Sequence, residues 1–247
     1  MSRFLVIKTG KTYDNIRERH GCFEQWIADG LGVACDRVNV VNVVEGGLLP
    51  ARLDDIAGIV ITGSPAMVTE RQPWSEAVAR WLAFEIVERG AQVPVLGICY
   101  GHQLIAHALG GRVDYNPRGR EIGTVQLQGT PEAARDPLLG ALDFPLTAHV
   151  THLQSVVELP AGAVHLAASD MEPNHAYRIG DSIWGVQFHP EFTADIMRAY
   201  IDVLSERMAG EGLDADAVQA GVGDAAQAAT LLRRFAELSL ARLRIDT

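Results

Sequence analysis

Cys99 lies where a short apolar segment gives way to a helical pattern, and Gly97 and Gly101 stand on either side of it. The segment 93–98 is apolar and β-branched, which is typical of a buried parallel strand, and from Gln103 onward apolar residues recur at helical spacing. Small neighbours permit a strained turn that pushes one side chain outward. A helix N-terminus also favours the thiolate, so the pattern predicts a nucleophile. For a single cysteine, a buried structural role is the commoner alternative.

Two other short segments carry groups that such a thiol would need. The string T-G-S-P at residues 62–65 follows an apolar segment, and its glycine lets backbone N–H groups approach a ligand closely. The string V-Q-F-H-P-E-F at residues 186–192 ends another apolar segment. In an extended chain His189 and Glu191 project to the same side, so a carboxylate could orient an imidazole base. Taken singly, these are an ordinary turn and a surface His–Glu pair. Together with Cys99 they predict an acyl-transfer site.

These segments need a scaffold, and the first hundred residues alternate strand and helix patterns. The predicted elements are strands at 4–7, 38–44, 56–62 and 93–98 and helices at 22–31 and 74–88. Such an order implies a parallel sheet covered by helices, with ligands at the carboxyl ends of the strands. The predicted fold class is therefore α/β, with an open, mostly parallel twisted sheet flanked by helices.

Later residues predict additions to this sheet. Short strand-like segments at 122–128, 146–150, 164–168 and 176–179 indicate a small antiparallel extension. A helix follows Thr193, and residues 214–244 form one or two further helices. We expect a catalytic domain over residues 1–209 and a C-terminal helical appendage over 210–247. Its apolar face predicts packing on the domain; an oligomer or partner surface is the alternative.

Composition excludes several functional classes. The 247 residues carry 31 acidic and 21 basic side chains, a formal net charge of −10, so nucleic acid is an unexpected partner. Three cysteines without C-x-x-C spacing argue against a disulfide framework and a thiolate zinc site. No apolar run approaches membrane-spanning length. We expect a cytoplasmic protein that does not bind membranes.

No cofactor or metal site is predicted. His149 and His152 are spaced H-x-x-H, but in a strand they face opposite ways and no third ligand is evident. The string T-G-K-T at residues 9–12 lacks the first glycine of a phosphate-binding loop.

The sequence resembles the class I glutamine amidotransferase family across roughly residues 3 to 205. The motifs that carry this resemblance are G-I-C-Y-G-H-Q at 97–103, T-G-S-P at 62–65 and V-Q-F-H-P-E-F at 186–192. The resemblance implies a flavodoxin-like fold and a catalytic triad of Cys99, His189 and Glu191. This triad would hydrolyse the side-chain amide of glutamine through a γ-glutamyl thioester, with His189 as proton carrier and Glu191 holding its tautomer.

The same resemblance implies the groups around the reacting carbonyl. The oxyanion would sit on backbone N–H groups of Tyr100 and of the Gly63–Ser64 turn. Gln103 matches a glutamine-contacting position, and Gln154–Ser155 lies where a substrate-binding strand edge is expected.

Within the family, the strings are most similar to the amidotransferase portion of GMP synthetase. The sequence has no S-G-G-x-D-S loop, so we expect a stand-alone member that acts on glutamine or another γ-glutamyl small molecule. Alternatives are a glutaminase subunit that supplies ammonia to a synthetase partner, a γ-glutamyl peptidase, a homodimer and a non-enzymatic binding protein. Substrate choice would lie in loops 66–73 and 115–121, where we expect Arg118 and Arg120 to be solvated.

Overall fold

The computed structural model describes the backbone of residues 2–245 and the side chains of residues 2–243. Its strands are β1 (Arg3–Lys8), β2 (Val38–Asn42), β3 (Ile56–Ile61), β4 (Val95–Ile98), β5 (Arg112–Tyr115), β6 (Glu121–Gly129), β7 (Leu146–His152), β8 (Gln154–Glu158), β9 (Val164–Ala168), β10 (Ala176–Ile179) and β11 (Ile183–Val186). Its helices are α1 (Asp14–His20), α2 (Phe23–Leu31), α3 (Pro73–Ala83), α4 (Tyr100–Ala108), α5 (Ala194–Gly210), α6 (Ala215–Ala220) and α7 (Ala226–Ile245).

Nine strands form one sheet in the order β2-β1-β3-β4-β11-β10-β9-β6-β7. Strands β2, β1, β3, β4 and β11 pair in parallel, and the strands beyond β11 pair antiparallel. The predicted α/β class and antiparallel extension are confirmed, and the extension continues the main sheet. A separate ribbon of β5 and β8 was not predicted; β5 is mostly exposed and offers little apolar signal.

The sheet is covered on both faces. Along β1, Phe4 and Val6 join one apolar cluster while Leu5 and Ile7 join another, as the period of two requires. The first cluster contains the buried face of α7, including Phe235, so this helix is part of the main core. The domain boundary at residue 210 stays a prediction. Helix α4 begins at Tyr100, three residues before the predicted start. No described helix is long and apolar enough to cross a membrane.

The carboxyl ends of the parallel strands meet at one edge. Thr9 follows β1, Thr62 follows β3, Cys99 follows β4, and the His189 segment follows β11. This shared edge brings together segments that are up to 180 residues apart in the chain (189 minus 9).

Candidate active site

Cys99 occupies a strained turn between β4 and α4. Its backbone has φ 49° and ψ −98°, a conformation that non-glycine residues rarely adopt. A Cβ atom at Gly97 would lie 2.4 Å from the carbonyl oxygen of Gly101, and one at Gly101 would lie 2.4 Å from that of Ile61. The two glycines therefore allow the close strand–helix crossing that presents the thiol.

His189 and Glu191 form a buried pair beside this thiol. The Nδ1 atom of His189 lies 2.8 Å from Oε1 of Glu191, and the imidazole stacks on Phe192 with ring centroids 4.0 Å apart. Since a carboxylate only accepts, Nδ1 carries the proton. Nε2 has no hydrogen-bond partner by geometry among the described residues. Burial by itself would lower the pKa of His189. The charges of Glu191 and Cys99 outweigh burial and raise this pKa from 6.5 to about 10.

Gly63 fits against both reacting groups. A Cβ atom there would lie 3.0 Å from Cε1 of His189 and 3.7 Å from Cβ of Cys99. Because Gly63 has no side chain, the imidazole of His189 can lie beside the thiol of Cys99.

Two buried threonines hold the peptide that follows Gly63. The Thr62 hydroxyl lies 2.9 Å from the Gly63 carbonyl oxygen and the Thr9 hydroxyl 3.2 Å from it. The Thr9 hydroxyl also lies 2.9 Å from the Thr62 carbonyl oxygen. In a trans peptide the C=O and N–H point in opposite directions. The Ser64 N–H is therefore directed away from the threonines, on the side of the cavity that Ser64 lines.

A second backbone donor lies at the start of α4. The N–H of Cys99 donates to the Val186 carbonyl oxygen at 2.9 Å, and that of Gln103 closes the first helical turn on the Cys99 carbonyl at 3.1 Å. As the first helical residue, Tyr100 has no acceptor within the helix for its N–H. Its side chain is anchored elsewhere, with the hydroxyl 2.6 Å from Oγ of Ser75, and burial raises its pKa to about 12.

Two glutamines form another part of the cavity lining. Nε2 of Gln103 donates to the Gln154 carbonyl oxygen and to Oε1 of Gln187, both at 2.9 Å. The side chain of Gln154 is held by Thr69, whose N–H lies 3.4 Å from its Oε1. Both glutamines line the cavity with Cys99.

Next to Gln154 lies a buried carboxylate between two imidazoles, and one of these, His152, also lines the cavity. Oε2 of Glu121 lies 2.8 Å from Nε2 of His152 and 2.9 Å from Nε2 of His175, and Nδ1 of His152 lies 3.0 Å from the Gln154 carbonyl oxygen. Both partners of His152, the ionised Glu121 carboxylate and the Gln154 carbonyl, only accept hydrogen bonds. Burial raises the pKa of Glu121, but hydrogen bonds from His152 and His175 outweigh it and lower the pKa.

The fold brings Glu121 and His175 to His152, a group that the H-x-x-H spacing did not indicate and that does not include His149. The 2.8 and 2.9 Å contacts are hydrogen-bond lengths. Ligand atoms around a tetrahedral zinc, with bonds of about 2.0 Å, would stand roughly 3.3 Å apart. The group has the geometry of a buried ion pair.

The expectation that Arg120 is solvated is wrong. Its side chain is only 8% exposed, and its guanidinium binds both carboxylate oxygens of Glu211, at 2.7 and 2.9 Å. The partner stands 91 residues away, just after α5, so local sequence did not indicate it. Arg118 is exposed, as expected.

The family model for class-I glutamine amidotransferases matches residues 18–201 of this chain. The chain belongs to this family. The glutamine-hydrolyzing GMP synthase of Porphyromonas gingivalis is 36% identical over 144 residues, which are 58% of this chain and 26% of that enzyme. The chain thus spans about a quarter of the length of that relative.

Solved amidotransferases share the whole fold. A glutamine amido transferase from Methylobacillus flagellatus superimposes with a TM-score of 0.72 at 26% identity, covering 99% of this chain and 95% of that one. A glutamine amidotransferase from Thermotoga maritima gives a TM-score of 0.73 at 20% identity, covering 97% and 98%. The predicted family and fold are confirmed.

Most of the predicted site residues of this amidotransferase line one cavity. Cys99, His189, Ser64, Tyr100, Gln103 and Gln154 do so, and Gly63 lies against the first two. Ser155 does not, because its hydroxyl points to the buried Glu172 on the other side of β8. The catalytic and binding roles of these residues stay predictions.

Sequence reasoning missed Thr9, Glu121 and His175. Thr9 follows the first parallel strand, so the rule that ligands collect at carboxyl ends could have indicated it. The other two come from the antiparallel half, where no local pattern marks them.

Proposed function

We propose that this amidotransferase hydrolyses glutamine, or another γ-glutamyl amide, through a thioester on Cys99. The observation that carries the proposal is the strained turn that places Cys99 against Gly63 and His189, with Nδ1 of His189 held by Glu191 at 2.8 Å. A raised pKa makes His189 basic enough to hold the thiol proton.

The first half-reaction forms the thioester. The thiol proton passes to Nε2 of His189 as the sulfur of Cys99 bonds to the γ-carbonyl carbon. Negative charge then develops on the carbonyl oxygen, where the N–H groups of Ser64 and Tyr100 would stabilise it. The C–N bond breaks, and the imidazolium donates its proton to the leaving amine, which departs as ammonia when the donor is glutamine.

Water completes the cycle. His189 takes a proton from water, whose oxygen attacks the thioester carbonyl. The C–S bond breaks, glutamate leaves, and the proton returns to the sulfur of Cys99. Each step uses the same nitrogen, because Glu191 keeps Nδ1 occupied.

Replacement of the nucleophile tests this proposal. Purified wild type should release glutamate and ammonia from glutamine, and Cys99→Ala should lower kcat by more than about 10⁴-fold. Cys35→Ala, which changes an exposed cysteine, is the matched control and should behave as wild type. Comparable turnover by wild type and Cys99→Ala would refute the proposal.

A second candidate is a glutaminase that supplies ammonia to a synthetase partner. The similarity to GMP synthases favours it. Glutamine hydrolysis that rises at least tenfold on addition of a co-purifying synthetase, and stays dependent on Cys99, would support this role.

A further inference from the structure

We propose, building on the thioester chemistry proposed above, that the cavity contains a subsite in which Arg207 binds a carboxylate on the released amine. The preferred donors would then be γ-glutamyl compounds whose leaving group is an amino acid or short peptide. The subsite is defined here as Tyr13, Tyr200, Leu204 and Arg207, which all line the cavity that contains Cys99 and His189.

The chemistry determines on which side of the thiol the leaving group lies. His189 must donate a proton to the leaving nitrogen, so that nitrogen lies on the His189 side. The γ-glutamyl part then faces the opposite wall, made by Gln103 and Gln154. The leaving group therefore extends along the wall that continues from the imidazole.

A stack of aromatic rings defines that wall. The imidazole of His189 lies on Phe192 with centroids 4.0 Å apart, Phe192 lies on Tyr200 at 4.9 Å, and Tyr13 meets Tyr200 edge-on at 5.8 Å. The Tyr200 hydroxyl is bound to the Thr12 hydroxyl at 2.7 Å, which fixes its ring. These contacts give the subsite a rigid apolar floor next to the proton donor.

Helix α5 extends the floor toward a cation. Tyr200, Leu204 and Arg207 follow one another at intervals of four and three residues, so they share one helical face. Seven residues advance a helix by about 10 Å, so the backbone of Arg207 lies that far from Tyr200 along the axis. One or two residues of an extended leaving group, at about 3.5 Å each, together with the long arginine side chain, cover this distance.

Arg207 is the arginine of this cavity that is available for a ligand. The guanidinium of Arg120, the other arginine in the cavity lining, is bound through Nε and Nη2 to the two carboxylate oxygens of Glu211. Among the described residues, Arg207 forms no ion pair, although its charge helps to lower the pKa of Glu211. Arg120, Glu211 and Arg207 together carry one net positive charge. A carboxylate is the anion that a guanidinium fork matches best in an amino-acid leaving group.

Two donors that differ only in this charge test the subsite. Wild type should have a kcat/KM about tenfold higher for γ-glutamylglycine than for γ-glutamylglycinamide, and added salt should reduce that ratio. In Arg207→Met the ratio should fall to about one, and Arg207→Lys should restore part of it. Arg198→Met, which changes an arginine of the same helix that pairs with Asp195 outside the cavity, should keep the wild-type ratio.

Binding to the Cys99→Ala variant separates this proposal from the proposed reaction. Calorimetry should show γ-glutamylglycine binding about tenfold more tightly than its amide, and Arg207→Met in the same background should remove the difference. Equal Kd values for the two donors, or a ratio unchanged by Arg207→Met, would overturn the subsite even if glutamine is hydrolysed. Conversely, a clear Kd ratio would support the subsite even where wild type turns over none of these donors.

Discussion

The two walls of the cavity each contain a buried His–Glu pair, but the atoms that these walls present to a substrate are held by different contacts. On the catalytic wall, backbone geometry positions the reacting groups: a strained turn at Cys99, a glycine at 63 and a carbonyl fixed by Thr9 and Thr62. On the substrate wall, His152 bridges the buried Glu121 carboxylate and the carbonyl of Gln154 and so holds that carbonyl.

This difference separates the sources of catalysis and of stability. Polar contacts on the catalytic wall act on atoms that should carry charge during the reaction, so changes there should affect kcat. The charges behind the substrate wall are buried and mutually satisfied, so changes there should affect folding. Substitutions in each wall can test this division.

The largest expected effect comes from Glu191→Gln on the catalytic wall. The amide cannot stabilise the imidazolium, and burial then lowers the pKa of His189 from its raised value of about 10. We expect kcat/KM for glutamine to fall by about 10³-fold. NMR titration of the imidazole should show the lowered pKa. Glu206→Gln, on the exposed side of α5, serves as control.

Next in size is Glu121→Gln behind the substrate wall. Loss of this buried carboxylate removes the acceptor that both His152 and His175 contact, so the free energy of unfolding should fall by about 3 kcal/mol at pH 7. The pKa of Glu121 is lowered by folding from an ordinary value of 4.5. Its contribution is therefore present above that value and lost as the pH falls below it.

Urea denaturation at pH 7 checks this prediction. Asp195→Asn, which breaks an exposed pair with Arg198, should cost less than about 1 kcal/mol under the same conditions. A Glu121→Gln protein as stable as wild type would remove the proposed distinction between the walls.

The smallest effect is expected for Thr9→Val. The isosteric valine keeps the packing but frees the Gly63 carbonyl from one of its two hydroxyl neighbours, so the Ser64 N–H should be less well oriented. We expect kcat to fall about tenfold with little change in KM, since loss of a whole oxyanion donor typically costs about 10²- to 10³-fold.

Two further variants make this test specific to the hydroxyl. Thr9→Ser should recover most of the lost kcat. Thr130→Val removes a hydroxyl that binds the His165 carbonyl far from the cavity and should leave kcat unchanged. If Thr9→Val changed KM alone, Thr9 would have no part in orienting the N–H donor to the oxyanion.

The sequence alone predicted the family, the α/β class, the mostly parallel sheet and the three segments that form the catalytic wall. This was possible because those segments directly follow strands, and strand ends of a parallel sheet meet at one edge. His189 and Glu191 were paired correctly because two residues in an extended chain face the same side.

Only the tertiary structure decided the partners in the antiparallel half. Glu121 meets residues 31 and 54 positions away, Arg120 meets one 91 positions away, and Ser155 turns from the cavity to Glu172. Pairing between buried polar side chains depends on strand register and sheet order, which alternating apolar patterns in single segments do not encode. The physical reason is that the catalytic contacts follow from local backbone geometry, whereas these charges find partners only when the whole sheet has closed.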